Sequence, residues 1–465
     1  MNNTCAVILA AGEGKRMKSI RPKAVCEILF KPMISYVVDA CKDAGISEIC
    51  VVVGEGREMI EKILPEEIET VFQEETKGTS NALFTAREFI EKSSCSDVLS
   101  VCADSPFITG EDLKGALERH RLTESDMTIL SGISQNLDNG HGRILRDHGI
   151  FRGIVEEKDA NTAQKQITEI NTGCYIFKKD FALSYTKKLE DIKEKEEKSL
   201  SYLASLGLLD GKTVVPFKSK NPNISLGANT RAQLFEISEI ARKAVIEKLM
   251  DEGVSFAGVD GVIIGKDVKI GRDTLIYPNV IIKGQSKIGC GCEITSGTII
   301  EDSVIGDECL VRSSFIEKSV MGDFVTFGPY SHLRPNCEIS NRVKIGNFVE
   351  VKNSKIGEKS SIAHLSYIGD TDMGSGVNVG CQTSTANYDG FRKFRSEIGD
   401  DCFIGCHTSL ISPVKLGRGA FTAAGSVITR DIPEDSLGVS RTRQENKEGW
   451  AKRYNQRNEA YKKKK

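Results

Sequence analysis

From residue 265 onward the chain repeats a short phrase, in which an aliphatic residue is followed by glycine and then by four variable positions. Many intervals between these pairs are multiples of six residues. Self-similarity at a fixed period is the signature of a solenoid, and a period of six predicts a parallel β-helix of short strands and turns. We expect each aliphatic residue to point into the core and each glycine to relieve a corner. The eleven pairs are Ile264-Gly265, Ile270-Gly271, Ile288-Gly289, Ile305-Gly306, Met321-Gly322, Ile345-Gly346, Ile356-Gly357, Ile368-Gly369, Ile398-Gly399, Ile404-Gly405 and Leu416-Gly417.

The repeat predicts coils that begin near Val254 and continue to about Val439. The interval from Gly289 to Gly306 does not fit the period, and it predicts a loop or a slipped coil. Chance spacing of glycines in a β-rich domain is the alternative, and the number of pairs makes it the weaker interpretation.

The composition fits a globular protein, with 39% hydrophobic and 28% charged residues in a chain of 465. A formal net charge of −2 gives no electrostatic field for nucleic acid or an anionic membrane. No apolar run approaches the roughly 18 residues of a membrane span, and the first residues lack the basic segment of a signal peptide. The 14 cysteines form no CxxC pair, which favours reduced thiols and a cytoplasmic location.

The first half of the chain alternates strand-like and helix-like segments. Apolar runs at Cys5–Ala10, Ile49–Gly54 and Asp97–Cys102 predict buried strands, and Met33–Ala44 has a helical period with one apolar face. This alternation predicts a doubly wound α/β sheet, whose ligands lie beyond the carboxyl ends of the strands. An amphipathic segment, Thr230–Asp251, predicts a rigid helix that joins this half to the coils.

A glycine-containing loop follows the first strand, with Gly12 and Gly14 ahead of Arg16 and Met17. Met17 breaks the GxGxxG dinucleotide pattern, and no GK[ST] follows, so both the dinucleotide and the P-loop interpretations fail. Backbone N–H groups of such a loop cradle phosphates, and Arg16 with Lys23 supplies two cations for a triphosphate. An ordinary strand–helix turn with two solvated cations is the alternative.

Polar residues further along the first half extend this candidate site. Asp104 follows a predicted strand, and a carboxylate there is a candidate Mg²⁺ ligand, because Mg²⁺ takes one or two protein oxygens plus substrate phosphates. A helix N-cap is the other role open to Asp104. Glycine and polar groups suited to sugar recognition occur at Gly142, Glu156 and Asn171.

The coils carry a second set of polar side chains, which fall on successive coils or on one inserted loop. Because a β-helix stacks its coils, we expect these groups to converge in a groove between neighbouring molecules. Cations, tyrosines and amides suit a sugar phosphate, and a neutral His364 accepts a proton from an amine near pH 7. A surface histidine bonded only locally is the alternative for His364. The set comprises Arg334, Lys352, His364, Tyr367, Asn378, Asn387, Tyr388 and Lys393.

The order of these motifs resembles the bacterial family of bifunctional N-acetylglucosamine-1-phosphate uridyltransferases/glucosamine-1-phosphate acetyltransferases, over nearly the whole chain. The resemblance implies a Rossmann-like nucleotidyltransferase domain at 1–229 and a linker helix at 230–253. It implies a left-handed parallel β-helix of hexapeptide repeats, the acetyltransferase domain, at 254–440. A basic tail at 441–465 follows, and we expect it to be partly disordered, with Trp450 as its candidate anchor.

Two reactions follow from the resemblance. Acetyl-CoA acetylates glucosamine-1-phosphate, and UTP then uridylylates N-acetylglucosamine-1-phosphate to UDP-N-acetylglucosamine, a precursor of peptidoglycan and lipopolysaccharide, with release of pyrophosphate. Mg²⁺ is the implied cofactor and a homotrimer the implied assembly. One alternative is a sugar-1-phosphate nucleotidyltransferase whose β-helix serves only oligomerisation or regulation. Another is an active acetyltransferase with a degraded nucleotidyl domain.

In the first half, the resemblance assigns the metal to Asp104 and Asn229, and stabilisation of the reacting phosphates to Arg16 and Lys23. The implied UTP and UDP-sugar residues are Leu9, Ala10, Ala11, Gly12, Lys23, Gln73, Gly78, Thr79, Gly142, Glu156, Asn171 and Asn229.

In the coils, the resemblance assigns the general base to His364. The implied sugar-phosphate residues are Arg334, Lys352, Tyr367, Asn378, Asn387 and Lys393. The implied acetyl-CoA residues are Cys381, Asn387, Tyr388, Cys406, Ala424 and Arg441.

The chain departs from the family pattern at positions that leave the charged groups of the site intact. Cys381 and Cys406 stand where relatives more often have alanine and serine. The backbone N–H of Cys381 is still the expected oxyanion donor, and a covalent acetyl-thioester is the weaker alternative, because no base neighbours either thiol in sequence. The departures in the first half are Lys15, Phe30, Ala103 and Ser80-Asn81.

Overall fold

The computed structural model describes residues 3–12, 14–75, 77–134, 140–192 and 198–462. The chain divides into two compact units, Met1–Val245 and Ile246–Lys465. Within the described ranges, no helix has both the length and the apolar character that crossing a membrane requires.

The first unit is built on a mixed sheet with helices packed on both faces. The strands of this sheet are β1 Thr4–Ala10, β4 Ile49–Val53, β5 Glu69–Phe72, β6 Asp97–Cys102, β7 Met127–Ile133, β8 Arg143–Asp147, β9 Ile150–Val155, β10 Glu169–Lys178 and β11 Val214–Lys218. A separate two-stranded sheet is formed by β2 Glu27–Ile28 and β3 Lys31–Pro32. The helices are α1 Met33–Asp43, α2 Arg57–Glu61, α3 Thr79–Thr85, α4 Arg87–Lys92, α5 Gly110–Leu122, α6 Thr162–Lys165, α7 Lys179–Glu190, α8 Ser201–Leu209 and α9 Arg231–Asp251.

The strand order is β11-β7-β10-β6-β1-β4-β5, with β8 and β9 as a hairpin beside β10. The predicted doubly wound sheet is present, and β10 is the antiparallel strand of its seven-strand path, since it runs against both β7 and β6. The β8–β9 hairpin lies between β7 and β10 in the chain, and it returns the chain to the sheet in the reverse direction. Carboxyl ends of the parallel strands therefore remain on one edge, where the candidate site was predicted.

Alternate residues of the central strands pack into two separate hydrophobic cores, one on each face of the sheet. On β1, Ile8 belongs to the core that includes α1, whereas Val7 belongs to the core that includes α7 and α8. This alternation follows from the two-residue period of a strand that is covered on both faces. The apolar face predicted for α1 is confirmed, since its members are buried: Ile34, Val37, Val38 and Cys41.

The second unit is a three-sided parallel β-helix, as the repeat predicted. Its first coil sheet contains Ser255–Phe256, Leu275–Ile276, Glu293–Ile294, Leu310–Val311, Thr326–Phe327, Lys344–Asn347, Ser361–His364, Asn378–Val379, Phe403–Ile404, Phe421–Thr422 and Leu437–Gly438. The second coil sheet contains Ile263–Ile264, Ile281–Lys283, Ile299–Glu301, Phe315–Glu317, His332–Leu333, Glu350–Lys352, Tyr367–Gly369, Ser384–Ala386, Ser409–Ile411 and Val427–Ile428. The third coil sheet contains Lys269–Ile270, Lys287–Ile288, Val304–Ile305, Val320–Met321, Glu338–Ile339, Lys355–Ile356, Thr371–Met373, Ser396–Ile398 and Lys415–Leu416.

The register explains both the six-residue period and its exceptions. Ile263 pairs with Ile281, which lies three six-residue units further on, because each coil has three sides. Lys287 pairs instead with Val304, so this coil is one residue shorter, which accounts for the irregular interval after Gly289. The aliphatic residues of the repeat point inward as predicted, and Ile264, Ile270, Ile288, Ile305, Ile345, Ile356, Ile368, Ile398, Ile404 and Leu416 are all buried.

The tail differs from its prediction. Residues Trp450–Lys462 form a helix, α10, where partial disorder was expected. The exposed Trp450 ring stacks on Tyr454 of the same helix, with centroids 4.9 Å apart. Trp450 thus packs against a residue of its own helix and does not anchor the tail in a core.

Candidate active sites

The loop after β1 forms one wall of a cavity of about 610 Å³, which we call the larger cavity. Gly14 has a φ of 60°, a conformation that favours glycine, and its carbonyl accepts from Met17 N–H at 2.8 Å. The buried Met17 side chain anchors this turn. Glu13 and the Lys15 side chain lie outside the described residues. Predicted residues that line the larger cavity are Leu9, Ala10, Ala11, Gly12, Arg16, Lys23, Gln73, Gly78, Thr79, Asp104 and Asn229.

Lys23, Asp104 and Asn229 meet in the larger cavity. The Lys23 ammonium forms an ion pair with Oδ2 of Asp104 and donates to Oδ1 of Asn229 at 2.7 Å. Asp104 follows β6, and a Cβ on Gly227 would lie 2.7 Å from the Asp104 carbonyl oxygen, so this close approach requires glycine. Asn229 is held by its own N–H, which donates to Oε1 of Gln233 at 2.9 Å.

This donor set fits Mg²⁺. A carboxylate oxygen and an amide oxygen already converge on one cation, and both are the hard ligands that Mg²⁺ prefers. In the part of the chain that the structure describes, no cluster of three or more His, Cys, Asp or Glu side chains could hold a metal. A cation with few protein ligands therefore suits this cavity, since substrate phosphates and water complete such a shell.

A smaller cavity of about 240 Å³ adjoins the larger one and shares Thr79, Asp104 and Asn229 with it. It brings together the three predicted sugar residues, Gly142, Glu156 and Asn171.

Residues of two elements, β10 and α8, hold Asn171 and Glu156 in the smaller cavity. Nδ2 of Asn171 donates to the Tyr175 hydroxyl at 2.7 Å, and Glu156 accepts from the Ser201 hydroxyl. His141 also lines this cavity. Burial lowers the pKa of its imidazole and so favours the neutral ring. Sequence reasoning missed Tyr175 and Ser201, since their roles arise only where β10 and α8 meet the cavity.

The segment around Gly78 shapes the remaining wall of the larger cavity. Gly78 has a φ of 103°, and a Cβ there would lie 2.5 Å from the Lys198 carbonyl oxygen. Oγ1 of Thr79 accepts from Leu200 N–H at 2.9 Å, which ties α3 to the start of α8. Gln73 is buried, and its Nε2 donates to Oδ1 of Asn81 at 2.7 Å.

In the coils, the predicted base and three predicted acetyl-CoA residues form one column, which we call the His364 column. His364 is the register partner of Asn347 on the preceding coil. Each later member lies two positions beyond a register-paired residue of the first coil sheet, so the members stack coil on coil. In order, the column contains Asn347, His364, Cys381, Cys406 and Ala424.

Hydrogen bonds define the chemistry of this column. Oδ1 of Asn347 lies 2.8 Å from Nδ1 of the exposed His364 ring. An amide oxygen only accepts, so Nδ1 carries the hydrogen and Nε2 is left as the free base. Among the described residues, the backbone N–H of Cys381 has no acceptor, which leaves it available to an oxyanion. Sequence reasoning missed Asn347, which lies seventeen residues from His364.

Three cations, Arg334, Lys352 and Lys393, form a second group, which we call the cationic cluster. Glu350 pairs with Arg334 at 2.9 Å and raises the pKa of that guanidinium. Lys393 lies on a loop inserted in a longer coil, where Thr371 pairs with Ser396. The neighbouring Lys393 ammonium, followed by burial, lowers the pKa of Lys352. Two lysines held this close suit an anionic ligand.

Tyr367 and Asn387 lie beside the cationic cluster. Nδ2 of the buried Asn387 faces the Tyr367 hydroxyl at 3.5 Å and donates to Oδ2 of Asp370. The Tyr367 hydroxyl lies over Gly369, where a Cβ would collide with it. The absence of a side chain at Gly369 therefore makes room for the Tyr367 hydroxyl, in addition to its role in the six-residue repeat.

The three remaining predicted residues lie at the edges of these groups. Asn378 belongs to an outer row of the first coil sheet that continues with the stacked rings of Phe403 and Phe421, 5.4 Å apart. Tyr388 is exposed and forms an isolated antiparallel bridge with Lys393 of the cationic cluster, and its hydroxyl donates to the Gly390 carbonyl oxygen at 2.5 Å. Arg441 follows the last coil strand and lies next to Gly425.

The His364 column and the cationic cluster lie at the ends of different sides of the coil. His364 ends a strand of the first coil sheet, whereas Lys352 ends a strand of the second. A turn at Leu365 and Ser366 separates the two sides within one coil.

Comparisons with known proteins agree with this division. Residues 5–220 match the nucleotidyl transferase family, and residues 395–430 match the bacterial transferase hexapeptide (six repeats), in agreement with the predicted left-handed β-helix. Proteins named bifunctional protein GlmU are similar over nearly their whole length. The relative from Exiguobacterium sp. is 40% identical over 450 residues, covering 96% of this chain and 99% of the relative. That from Caldanaerobacter subterraneus is 42% identical over 451 residues, covering 97% and 98%.

A third relative, from Listeria welshimeri, is 41% identical over 461 residues and covers 98% of this chain and 99% of its own. Identity at this level, over the sheet and the coils together, exceeds what a shared fold alone would give. This chain therefore belongs to the family of the bifunctional protein GlmU.

Proposed function

We propose that this chain makes UDP-N-acetylglucosamine by two transfers, each on its own unit. The second unit acetylates glucosamine-1-phosphate with acetyl-CoA, and the first unit transfers uridylyl from UTP to the acetylated sugar phosphate. The observation that carries the proposal is the pair of adjoining cavities in the first unit, one with a glycine loop and cations and the other with sugar-binding groups, meeting at Asp104 and Asn229.

In uridylyl transfer, a phosphate oxygen of N-acetylglucosamine-1-phosphate attacks the α-phosphorus of UTP. The bond from that phosphorus to the bridging oxygen breaks, and pyrophosphate leaves. Arg16 and Lys23 stabilise the charge that grows on the phosphates, and the glycine loop orients them. Asp104 and Asn229 would hold Mg²⁺, which neutralises phosphate charge when bound.

In acetyl transfer, the amine of glucosamine-1-phosphate attacks the thioester carbonyl of acetyl-CoA. Nε2 of His364 accepts the amine proton, because Asn347 holds the hydrogen on Nδ1. The Cys381 N–H stabilises the tetrahedral oxyanion until the coenzyme A thiolate leaves. The cationic cluster binds the sugar phosphate.

We also propose a homotrimer in which a neighbouring chain completes the acetyl-transfer site. The separation of the His364 column from the cationic cluster supports this, since one sugar phosphate must reach both. A cytoplasmic location is part of the proposal, because all 14 cysteines are free thiols. A β-helix that serves only oligomerisation is disfavoured, because such a module has no use for His364 and a cationic cluster.

The test measures the two reactions separately on the full-length chain. Thiol release from acetyl-CoA with glucosamine-1-phosphate reports acetyl transfer, and pyrophosphate release from UTP with N-acetylglucosamine-1-phosphate reports uridylyl transfer. His364→Ala should lower the first by about two to four orders of magnitude and leave the second intact. Equal loss of both reactions in a folded protein would contradict the two-site proposal, and absence of either reaction in the wild type would restrict the function to the other.

A further inference from the structure

A chain of hydrogen bonds leads from a buried ion pair to the wall of the larger cavity. Nζ of Lys198 lies 3.4 Å from Oε2 of Glu190, with side chains only 8% and 14% exposed. Nδ2 of Asn81 donates to Oε2 of Glu190 at 3.3 Å. Nε2 of Gln73 donates to Oδ1 of Asn81 at 2.7 Å, and Gln73 lines the cavity.

The ion pair imposes a direction on this chain of hydrogen bonds. A carboxylate accepts hydrogen bonds and donates none, so Asn81 must turn its NH₂ group toward Glu190 and its oxygen toward Gln73. That oxygen also accepts only, so Gln73 must present its own NH₂ group to Asn81. The remaining atom, Oε1 of Gln73, has no hydrogen-bond partner among the described residues and is therefore a free acceptor at the cavity.

We propose that Asn81 and Glu190 are positioning residues that set the pyrimidine selectivity of the larger cavity, by holding Oε1 of Gln73 toward the base. An acceptor there pairs with the N3–H of uracil, whereas cytosine presents a lone pair at N3 and is repelled. The inference rests on the proposed uridylyl transfer and deepens it. A site built to hydrogen-bond one group discriminates strongly against an analogue that lacks it, because the buried polar atom loses its partner.

Asn81 is one of the departures from the family pattern, which more often has histidine at this position. A histidine ring places its hydrogen on either nitrogen, so its tautomer and the Gln73 amide adjust together. An asparagine between a carboxylate and Gln73 has one orientation that satisfies both neighbours. The departure thus makes the polarity of Gln73 depend on Glu190 in this chain.

The experiment compares kcat/KM for UTP and for CTP in pyrophosphate release with N-acetylglucosamine-1-phosphate. Glu190→Met keeps the approximate length of the side chain but removes the carboxylate oxygen that Asn81 and Lys198 share, so Asn81 can turn its oxygen toward the Lys198 ammonium and Gln73 can reverse with it. We expect the UTP-to-CTP ratio to fall at least about tenfold. Glu111→Met, the same change on the exposed start of α5, is the matched control and should keep the wild-type ratio.

A double variant, Asn81→Asp combined with Glu190→Met, tests polarity rather than structure. The carboxylate introduced by Asn81→Asp accepts on both sides, so the Lys198 ammonium and the amide of Gln73 both donate to it. Oε1 of Gln73 is then directed toward the base again, and the UTP preference should return to within about threefold of the wild type. A purely structural role predicts that the double variant is worse than the single one.

The outcomes separate this inference from the proposed function. A wild type that releases no pyrophosphate from UTP contradicts the proposed function itself. With an active wild type, an unchanged ratio in folded Glu190→Met overturns the inference. An equal loss with both nucleotides, or a double variant that does not regain UTP preference, also overturns it.

Discussion

Oδ1 of Asn347 lies 2.8 Å from Nδ1 of His364, and the two residues are register partners on successive coils. The contact places the hydrogen on Nδ1 and leaves Nε2 as the base, so the tautomer depends on both residues. The column that they begin continues through Cys381, Cys406 and Ala424. A substitution of Asn347 on the neighbouring coil should therefore change the orientation of the His364 ring.

Asn347→Ala should lower the turnover of acetyl transfer by about tenfold to a hundredfold, less than loss of His364 itself, because the ring keeps its nitrogen but loses its orientation. Asn347→Asp should retain more activity, since a carboxylate also accepts from Nδ1. A carboxylate placed beside an imidazole favours its protonated form, so the acidic limb of the pH–rate profile of Asn347→Asp should move to higher pH. Coincident profiles for the wild type and Asn347→Asp would exclude this contact.

Asp104→Asn should raise the Mg²⁺ concentration that gives half-maximal pyrophosphate release by about tenfold or more, because a neutral amide replaces the one charged ligand. Acetyl transfer should be unaffected. Asp126→Asn, in the bend that precedes β7 and away from both cavities, is the control and should keep the wild-type Mg²⁺ dependence. An unshifted Mg²⁺ titration in Asp104→Asn would exclude this carboxylate as the ligand.

The affinity for glucosamine-1-phosphate should weaken as pH rises through the lowered pKa of Lys352, since a neutral amine no longer attracts phosphate. Lys393→Met removes the main cause of that lowered pKa, so the fall in affinity should move to higher pH. At neutral pH the same variant should raise KM by about tenfold, through loss of one charge-assisted contact. KM profiles from about pH 7 to 10 measure both effects. Lys355→Met, which removes a lysine paired with Glu338, should leave the profile in place.

Maleimide alkylation should abolish acetyl transfer and spare uridylyl transfer. Cys406 is exposed in the His364 column, whereas burial raises the pKa of Cys102, beside both cavities of the first unit, to about 12 and makes it a poor nucleophile. Acetyl-CoA should protect Cys406. Cys406→Ser should resist the reagent, while Cys290→Ser, which removes another exposed thiol, should not. Inactivation of Cys406→Ser at the wild-type rate would show that the sensitive thiol is a cysteine other than Cys406.

Inactive subunits should complement one another if neighbouring chains share the acetyl-transfer site. We expect trimers mixed from His364→Ala and Arg441→Ala chains to regain part of the thiol release that each parent lacks. The reason is that Arg441 lies beyond the last coil strand and is free to serve a neighbour. Failure to recover activity in verified mixed trimers would confine the site to one chain.

Local patterns in the sequence determined the architecture. The repeat predicted the coils because every inward position of a solenoid meets its equivalent on the next coil, so each coil selects the same residue type. Ile264 and Ile404 are buried as predicted, and the strand before Asp104 ends where its apolar run ends. The larger cavity likewise contains the predicted loop and cations, since a glycine turn after a buried strand is specified by adjacent residues.

The tertiary structure alone decided the relationships between distant residues. Glu190 lies 109 residues from Asn81, and the two join Gln73 in a directed chain only when α7, α3 and the end of β5 pack together. The Asn347–His364 contact depends on a register that a one-residue change in coil length would break. Antiparallel β10 and the helical tail were also missed, because strand direction and tail order depend on what each segment meets after folding. Sequence specifies which groups are present, whereas packing specifies which of their atoms face one another.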